Sequence, residues 1–200
     1  MVFVRKDHYY KWAKREGKAS RAAYKLEELQ ERFRLVKEGA TVIDLGCAPG
    51  GWMQELSKLV GKKGKVIGVD PLPLRISFPK NCVFIKGDAF EYDVLEMIKK
   101  LAGKKVDAVL SDMSPNLSGV GFADSYRSFE LATRALEFGR KLLKRHGHLV
   151  IKIFPGDETA ELVEEMEKHF EEVGLHIPKA TRKTSSERYL VAMRFKAESS

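Results

Sequence analysis

Short apolar runs rich in β-branched residues alternate along this chain with longer amphipathic segments. In the longer segments, apolar residues recur at helical spacing, as Phe129, Leu136 and Leu143 do. This alternation is typical of an α/β fold, a mostly parallel sheet with helices on both faces. Seven strands are predicted, at 41–45, 65–69, 82–85, 106–110, 148–154, 188–195 and, more briefly, 175–177. Helices are predicted at 20–33, 52–59, 92–101, 125–144 and 158–173.

The length of the chain predicts one domain over residues 1–200, because 200 residues suffice for one substantial core and not for two. Neither Cys47 nor Cys82 belongs to a Cys/His cluster with metal-ligand spacing, so we expect no metal site. Without a signal-like leader or an apolar run long enough to cross a bilayer, we expect no membrane association and a cytoplasmic protein.

Positive charge is in excess, with 36 Lys and Arg against 28 Asp and Glu, a net charge of +8 and a pI near 9.4. A basic surface favours a polyanionic partner such as RNA. The charge is dense in the N-terminal segment, about 1–24, where Tyr9, Tyr10 and Trp12 are interleaved with it and are suited to stacking on bases. A solvated basic helix is the alternative. The candidate RNA-binding residues are Arg5, Lys11, Lys14, Arg15, Lys18 and Arg21.

A glycine-rich turn follows the first predicted strand and leads into a helix, in the string Asp-Leu-Gly-Cys-Ala-Pro-Gly-Gly-Trp of residues 44–52. Gly46 and Gly50 remove side chains where a ligand must approach the main chain. The string matches neither GxGxxG for dinucleotides nor GxxxxGK[ST] for nucleotide phosphates. A small-molecule site that is not built for pyrophosphate is therefore predicted here.

This string resembles motif I of the S-adenosylmethionine-dependent methyltransferases, and its longer form resembles the FtsJ/RrmJ family of ribosomal RNA ribose 2′-O-methyltransferases, which has archaeal members of similar size. The resemblance implies a Rossmann-like methyltransferase fold and S-adenosyl-L-methionine as the cofactor, with Gly46 and Gly50 in the cofactor loop. It also puts Trp52 beside the cofactor, although a core aromatic is the commoner role of tryptophan.

Two aspartates end the next strands. Asp70 closes Val-Ile-Gly-Val-Asp, where a carboxylate can accept hydrogen bonds from the ribose hydroxyls of an adenosine. Asp88 follows the third strand, and the resemblance implies that it contacts the adenine amino group. Taken alone, either residue would be read as a helix cap or turn former.

Asp112 begins Asp-Met-Ser-Pro after an apolar strand, where amino-directed nucleic-acid methyltransferases carry an Asn/Asp-Pro-Pro-aromatic string, so a base amine is a poor candidate target. Lys152 lies in a strand that is apolar on both faces, where a lysine is costly to bury unless it is paired or functional. An exposed edge strand is the alternative. Asp112 is a candidate for both catalysis and cofactor binding.

By composition alone, Lys25 and Glu187 would be solvated surface charges. The resemblance changes this interpretation, because Lys25, Asp112, Lys152 and Glu187 occur in the order and local settings of the Lys-Asp-Lys-Glu catalytic tetrad of the family. A ribose hydroxyl needs to lose its proton and to be aligned with the methyl donor. The sequence leaves open whether Lys152 is the base or steers the hydroxyl.

The function expected from this resemblance is methylation of a ribose 2′-hydroxyl, most simply of a uridine in large-subunit (23S) ribosomal RNA, by a monomer acting on the large ribosomal subunit or its precursor. Two alternatives remain open at this point. One is ribose methylation of a tRNA anticodon loop, which shares the motifs. The other is a non-catalytic RNA-binding protein on a methyltransferase scaffold, against which the intact tetrad argues.

Overall fold

A computed structural model describes residues 22–75, 77, 79–181 and 185–197 of the protein. Helices and strands alternate along most of this length. The helices are α1 (Ala22–Phe33), α2 (Gly51–Val60), α3 (Tyr92–Ala102), α4 (Gly121–Leu142) and α5 (Thr159–His169). The strands are β1 (Thr41–Leu45), β2 (Lys65–Asp70), β3 (Cys82–Lys86), β4 (Val106–Ser111), β5 (Leu143–Ile153), β6 (Phe170–His176) and β7 (Arg188–Phe195).

The seven strands form one sheet in the order β3-β2-β1-β4-β5-β7-β6. Strands β1 to β5 are parallel, and β7 runs antiparallel to both β5 and β6. This confirms the predicted mostly parallel, Rossmann-like α/β sheet. The order reverses between β1 and β4, which is the switch point outside whose carboxyl ends such sheets bind ligands.

The helix predicted at 125–144 is displaced, because it begins at Gly121 and ends at Leu142. Strand β5 therefore starts at Leu143, well before the predicted residue 148. Leu143 pairs with Val106, and the register then shifts so that His148 pairs with Ala108. Periodicity did not reveal this irregular start, because the intervening residues 144–147 are polar or glycine.

The helix predicted at 158–173 is shorter in the structure and ends at His169. Phe170 instead begins β6, where it pairs with Phe195 of β7 and packs on its ring with centroids 5.3 Å apart. Tertiary packing of this pair outweighs the helical spacing of the local sequence, because it buries both aromatic rings. The predicted short strand at 175–177 is the end of this longer strand.

Two apolar clusters form the core, one on each face of the sheet. Ile43 and Leu45 of β1 face the first cluster, whereas Val42 faces the second, as the alternation of side chains along a strand requires. The second cluster includes Leu26 and Leu29 of α1. None of the described helices is long and apolar enough to cross a membrane.

Candidate active site

The residues that follow β1 and β4 border an open cleft of about 790 Å³ at the switch point of the sheet. Gly46 and Asp70 line one side of it, and Asp112 lines the other. Asp88 is exposed at its rim. These predicted cofactor residues come from four different strand ends, and the topology brings them to a single cleft.

Glycine is required in the loop after β1. Gly46 has φ 75°, and a Cβ there would lie 2.7 Å from the main chain of Met113, so any other residue would push the β4 end away. Gly50 directly precedes α2 with φ 113°. Gly50 does not line the cleft but sets the turn that leads from the loop into the helix.

Asp70 fixes the shape of the cleft through two main-chain hydrogen bonds. Its Oδ2 accepts from the N–H of Ala48 at 2.9 Å, and its Oδ1 accepts from the N–H of Leu72 at 2.8 Å. Each carboxylate oxygen has a second lone pair, so the side chain retains capacity for ligand hydroxyls. Asp88 similarly accepts from the N–H of Phe90 at 2.9 Å and is both a turn former and a cleft residue.

Asp44, which the sequence analysis did not single out, lies fully buried in β1 under the same loop. Neither of its carboxylate oxygens has a hydrogen-bond partner among the described residues. Burial raises the pKa of Asp44 well above its ordinary value, and the charges of Asp112 and Asp70 raise it further. Its place at the start of the glycine-rich string of residues 44–52 was the one feature of the sequence that could have pointed to Asp44.

These groups fit S-adenosylmethionine. The cofactor carries a sulfonium, an ammonium and ribose hydroxyls, and it needs anionic partners and acceptors rather than phosphate-binding groups. Asp70, Asp88 and Asp112 supply them along the cleft, and buried Asp44 has unsatisfied acceptor atoms just behind it. A cationic ligand here would lower the cost of ionising these carboxyls.

Cys47 lies in the loop between these aspartates but is buried against the core. Burial raises the pKa of its thiol, and the neighbouring charges of Asp44 and Asp70 raise it further. The thiol therefore stays protonated and packs as a small apolar group, as expected from the sequence.

The four residues of the predicted tetrad form two ion pairs in which both lysines are buried. Lys152 Nζ lies 3.1 Å from Asp112 Oδ1 and also donates to the main-chain oxygen of Asp112 at 2.5 Å. Lys25 Nζ lies 2.6 Å from Glu187 Oε1. Lys25 is 6% exposed and Lys152 7%, so Lys25 is not the solvated surface charge that composition alone suggests.

Strand register explains why distant residues meet here. Lys152 of β5 is directly opposite Tyr189 of β7, and Glu187 immediately precedes that strand. Asp112 follows β4, the other neighbour of β5. Because β5 is paired on both sides, the edge-strand alternative for Lys152 is excluded.

Tyr189 joins the two ion pairs, and sequence reasoning missed it. Its hydroxyl donates to Asp112 Oδ1 at 2.7 Å, and its ring centroid lies 5.8 Å from Lys25 Nζ. The residue is fully buried. In the sequence, a tyrosine in an apolar strand is interpreted as a core residue. Only its position opposite Lys152 reveals that it also contacts the tetrad.

Helix α1 carries Lys25 to the site and is fixed at both ends. Trp52 donates its indole N–H to the main-chain oxygen of Ala22 at 2.8 Å and packs on Tyr189 with centroids 5.9 Å apart. Toward the other end, Glu28 contacts His176 at 3.2 Å. Trp52 is buried in the core and is not among the residues that line the cofactor cleft. Its contacts support α1 and Tyr189, and its place beside the cofactor stays a prediction.

A second cleft, of about 730 Å³, opens on the other side of the tetrad. It shares Ser114 with the cofactor cleft and is bordered by Glu187, by the start of α4 and by the β5–α5 loop. One tetrad residue thus borders each cavity, Asp112 the cofactor cleft and Glu187 the second cleft. The predicted RNA-binding residues Arg5, Lys11, Lys14, Arg15, Lys18 and Arg21 lie outside the described residues.

Comparisons with known proteins identify the family of this chain. The family model of FtsJ-like methyltransferases matches residues 19–195. The ribosomal RNA large subunit methyltransferase E of Methanocaldococcus jannaschii is 45% identical over 96% of this chain and 79% of its own length. The protein of the same name from Bdellovibrio bacteriovorus is 40% identical over 96% of this chain and 98% of its own length.

A solved structure extends the likeness to three dimensions. A Plasmodium falciparum protein assigned as a ribosomal RNA methyltransferase superimposes with a TM-score of 0.77 at 30% identity, covering 88% of this chain and 97% of that one. The match to the family model spans every described element from α1 to β7, so the resemblance inferred from the sequence is confirmed. The chain belongs to the family of FtsJ-like methyltransferases.

Proposed function

We propose that this methyltransferase moves the methyl group of S-adenosylmethionine to a ribose 2′-hydroxyl of large-subunit ribosomal RNA, with uridine as the nucleotide. The observation that carries the proposal is the pair of ion pairs, Lys152–Asp112 and Lys25–Glu187, at the junction of two clefts. The printed names of the relatives, which refer to ribosomal RNA, favour this substrate over tRNA.

When bound, S-adenosylmethionine supplies a methyl group that is already activated by a positively charged sulfur. The task left to this chain is to align the hydroxyl with that methyl group and to take up its proton. In the proposed mechanism, the hydroxyl lies against Lys152 and Asp112 and gives up its proton to this pair as its oxygen takes the methyl group, whose bond to the sulfur breaks and leaves its electron pair on the sulfur. Lys25 and Glu187 hold the geometry from the opposite side.

Burial strengthens the action of these ion pairs on the hydroxyl. In a site that largely excludes water, an ion pair acts more strongly on a nearby dipole than it does at the surface. The same burial makes the pairs interdependent, because removing one partner leaves an uncompensated charge. We propose that the four residues work as one catalytic unit.

We further propose that residues 1–200 form one domain, that the protein acts as a cytoplasmic monomer on the large subunit or its precursor, and that the N-terminal segment holds the RNA. Replacing Lys11, Lys14, Arg15 and Lys18 by Ala should weaken RNA binding and leave cofactor affinity intact. Fewer phosphate contacts release fewer counterions, so the salt slope of RNA binding should become shallower. An unchanged slope would return this segment to the solvated-surface interpretation.

In the direct test, the protein is incubated with labelled S-adenosylmethionine and with large-subunit particles, free large-subunit RNA or tRNA. The positions of ribose methylation are then mapped. We expect transfer to one ribose of the large-subunit RNA and none to tRNA. Transfer to tRNA alone would overturn the substrate assignment, and binding of RNA without any transfer would support a non-catalytic role.

A further inference from the structure

The second cleft borders the tetrad at Glu187, and its lining has a definite chemistry. We infer that it receives the base of the nucleotide to be methylated, turned out of its stack, while the ribose stays at the ion pairs. The inference rests on the proposed function and names the part of the RNA that the cleft selects. Its position supports this reading, because Glu187 of the tetrad borders the cleft and Ser114 is shared with the cofactor cleft.

Large apolar side chains are exposed in the cleft. Phe122 is 69% exposed and Leu117 is 62% exposed, and Phe154 and Pro155 line the same cavity. Single exposed apolar residues are ordinary on protein surfaces, whereas a group that lines one concave site marks a binding surface. An unstacked base offers a flat apolar face of the size that such residues cover.

The charges of the described lining favour a neutral occupant over a phosphate. Among the described residues that line it, the ionisable ones are Asp124, Asp157 and Glu187, all of them acidic. Phosphate groups are held by lysine, arginine or main-chain donors. Glu187 is already paired with Lys25, and the carboxylates of Asp124 and Asp157 would repel a phosphate. A neutral base with N–H donors on its edge suits this lining.

Hydroxyl groups provide the remaining polar contacts. Ser114, Ser185 and Ser186 border the cleft, and a hydroxyl both donates and accepts hydrogen bonds, as a base edge requires. Ser185 Oγ accepts from the N–H of Glu187 at 3.2 Å. This bond links the polar rim of the cleft directly to the tetrad.

The walls of the cleft are held in place without a ligand. The Asp124 carboxylate accepts hydrogen bonds from the N–H and the hydroxyl of Ser118 and from the N–H of Gly119, which orders the loop that carries Leu117. The N–H of Phe154 donates to Ser128 Oγ at 2.9 Å and ties the β5–α5 loop to α4. A Cβ at Gly156 would lie 2.7 Å from Ser125 Oγ, so the two walls are in close contact there. A preformed pocket lowers the cost of capturing a flipped base.

The test asks whether the effect of removing one side chain depends on the presence of the base. Phe122→Ala is compared with Tyr92→Ala, a matched control because Tyr92 is an aromatic residue that is 91% exposed and borders neither cleft. The substrates are large-subunit RNA, in which the methylated nucleotide has been mapped with the wild-type enzyme, and the same RNA ligated to lack only the base of that nucleotide. Its 2′-hydroxyl is retained.

With wild-type enzyme, deleting the base should lower kcat/KM for methyl transfer roughly 5- to 100-fold, as expected for the loss of one stacked base. On the intact RNA, Phe122→Ala should lower kcat/KM by a comparable factor. On the RNA that lacks the base, its kcat/KM should be only slightly below that of the wild type. Tyr92→Ala should match the wild type on both substrates. Cofactor affinity, measured by calorimetry, should be unchanged in both variants.

Equal losses for Phe122→Ala on the two RNAs would overturn the inference, because its contact would then be with the sugar or the backbone. Activity of Phe122→Ala equal to that of Tyr92→Ala would overturn it as well. Leu117→Ala provides a second variant should Phe122→Ala fold poorly. If the wild-type enzyme methylates no RNA, the proposed function itself fails, and that result is distinct from either of these.

Discussion

The two sides of the site are built in different ways. The cofactor side centres on one contiguous glycine-rich loop, which is shaped by main-chain hydrogen bonds to Asp70 and by close contact of Gly46 with Met113. The tetrad side is assembled by side chains from α1 and from the residues at or next to β4, β5 and β7. Its geometry depends on the packing of elements that lie far apart in the sequence.

The charges differ as well. The cofactor cleft has Asp70, Asp88 and Asp112 on its walls, and these carboxylates suit a cationic ligand. The tetrad is balanced internally, since each lysine has a carboxylate partner. A change on the cofactor side should therefore appear in cofactor affinity, whereas a change in the tetrad should appear in the rate of transfer.

The largest effect is expected from Lys152→Ala. Removing the ammonium that contacts Asp112 should lower single-turnover methyl transfer by about 10²- to 10⁴-fold, the range typical of a group that handles a proton. Cofactor affinity should persist, because Lys152 does not line the cofactor cleft. Labelled methyl transfer to saturating RNA measures the rate, and circular dichroism checks the fold. A rate near that of the wild type would reduce the tetrad to a structural ion-pair cluster.

A double variant sharpens this result. If the tetrad acts as one unit, Lys152→Ala combined with Lys25→Ala should cost much less than the product of the separate losses. Independent sites would instead give multiplicative losses. The same single-turnover assay on the two single variants and the double variant decides between these outcomes.

A smaller effect, confined to the other side, is expected from Asp70→Ala. The variant loses the acceptor for the Ala48 and Leu72 amides and the proposed acceptor for the cofactor hydroxyls, and hydrogen bonds to a charged group are worth roughly 1.5–3 kcal/mol. The dissociation constant for S-adenosylmethionine should rise at least tenfold, and the rate at saturating cofactor should change far less. Calorimetry would contradict this assignment if the affinity stayed the same.

The contrast between the two sides also explains what the sequence could predict. The cofactor loop was visible because its residues are contiguous and each glycine has a local steric reason. The tetrad needed family resemblance, since nothing local separates Lys25 or Glu187 from a surface charge. Tyr189 was missed because its function comes from its cross-strand position opposite Lys152. The early start of β5 was missed because an irregular strand beginning leaves no alternation of polar and apolar residues.

Asp44→Asn tests the acidic cofactor side through the pH dependence of stability. Because burial raises the pKa of Asp44, the folded protein without cofactor holds this proton at pH values where the unfolded chain, with a pKa of about 3.9, has lost it. The contribution of Asp44 to stability is therefore complete at low pH and is lost as pH rises toward its folded pKa. Asparagine does not titrate, so the variant should match the wild type near pH 4 and become progressively more stable than it toward neutral pH.

Thermal unfolding without cofactor, followed from about pH 4 to pH 9, measures this difference, with about 2–4 °C expected for each kcal/mol in a chain of this size. The variant should also bind S-adenosylmethionine less tightly, because it cannot ionise in response to a cationic ligand. Calorimetry in buffers of different ionisation enthalpy should detect proton release on binding to the wild type and not to the variant. Identical pH profiles would show that Asp44 is not a buried titrating group.

The smallest effect is expected from Tyr189→Phe, which removes one hydroxyl from the centre of the tetrad. The ring would remain in the core beside Trp52 and near Lys25, so folding and the position of α1 should be preserved. Asp112 would lose a hydrogen bond of 2.7 Å but keep its contact with Lys152, and the loss of one hydrogen bond to a charged group corresponds to roughly a 10-fold slower transfer. The loss should appear in kcat rather than in the KM for RNA, because the buried hydroxyl positions Asp112 and borders neither cleft. Tyr189→Leu, which removes the ring as well, should also loosen Lys25 and slow transfer further. If Tyr189→Phe and the wild type transfer methyl at the same rate, the hydroxyl is dispensable, and the two ion pairs are held together by their strands and by α1 alone.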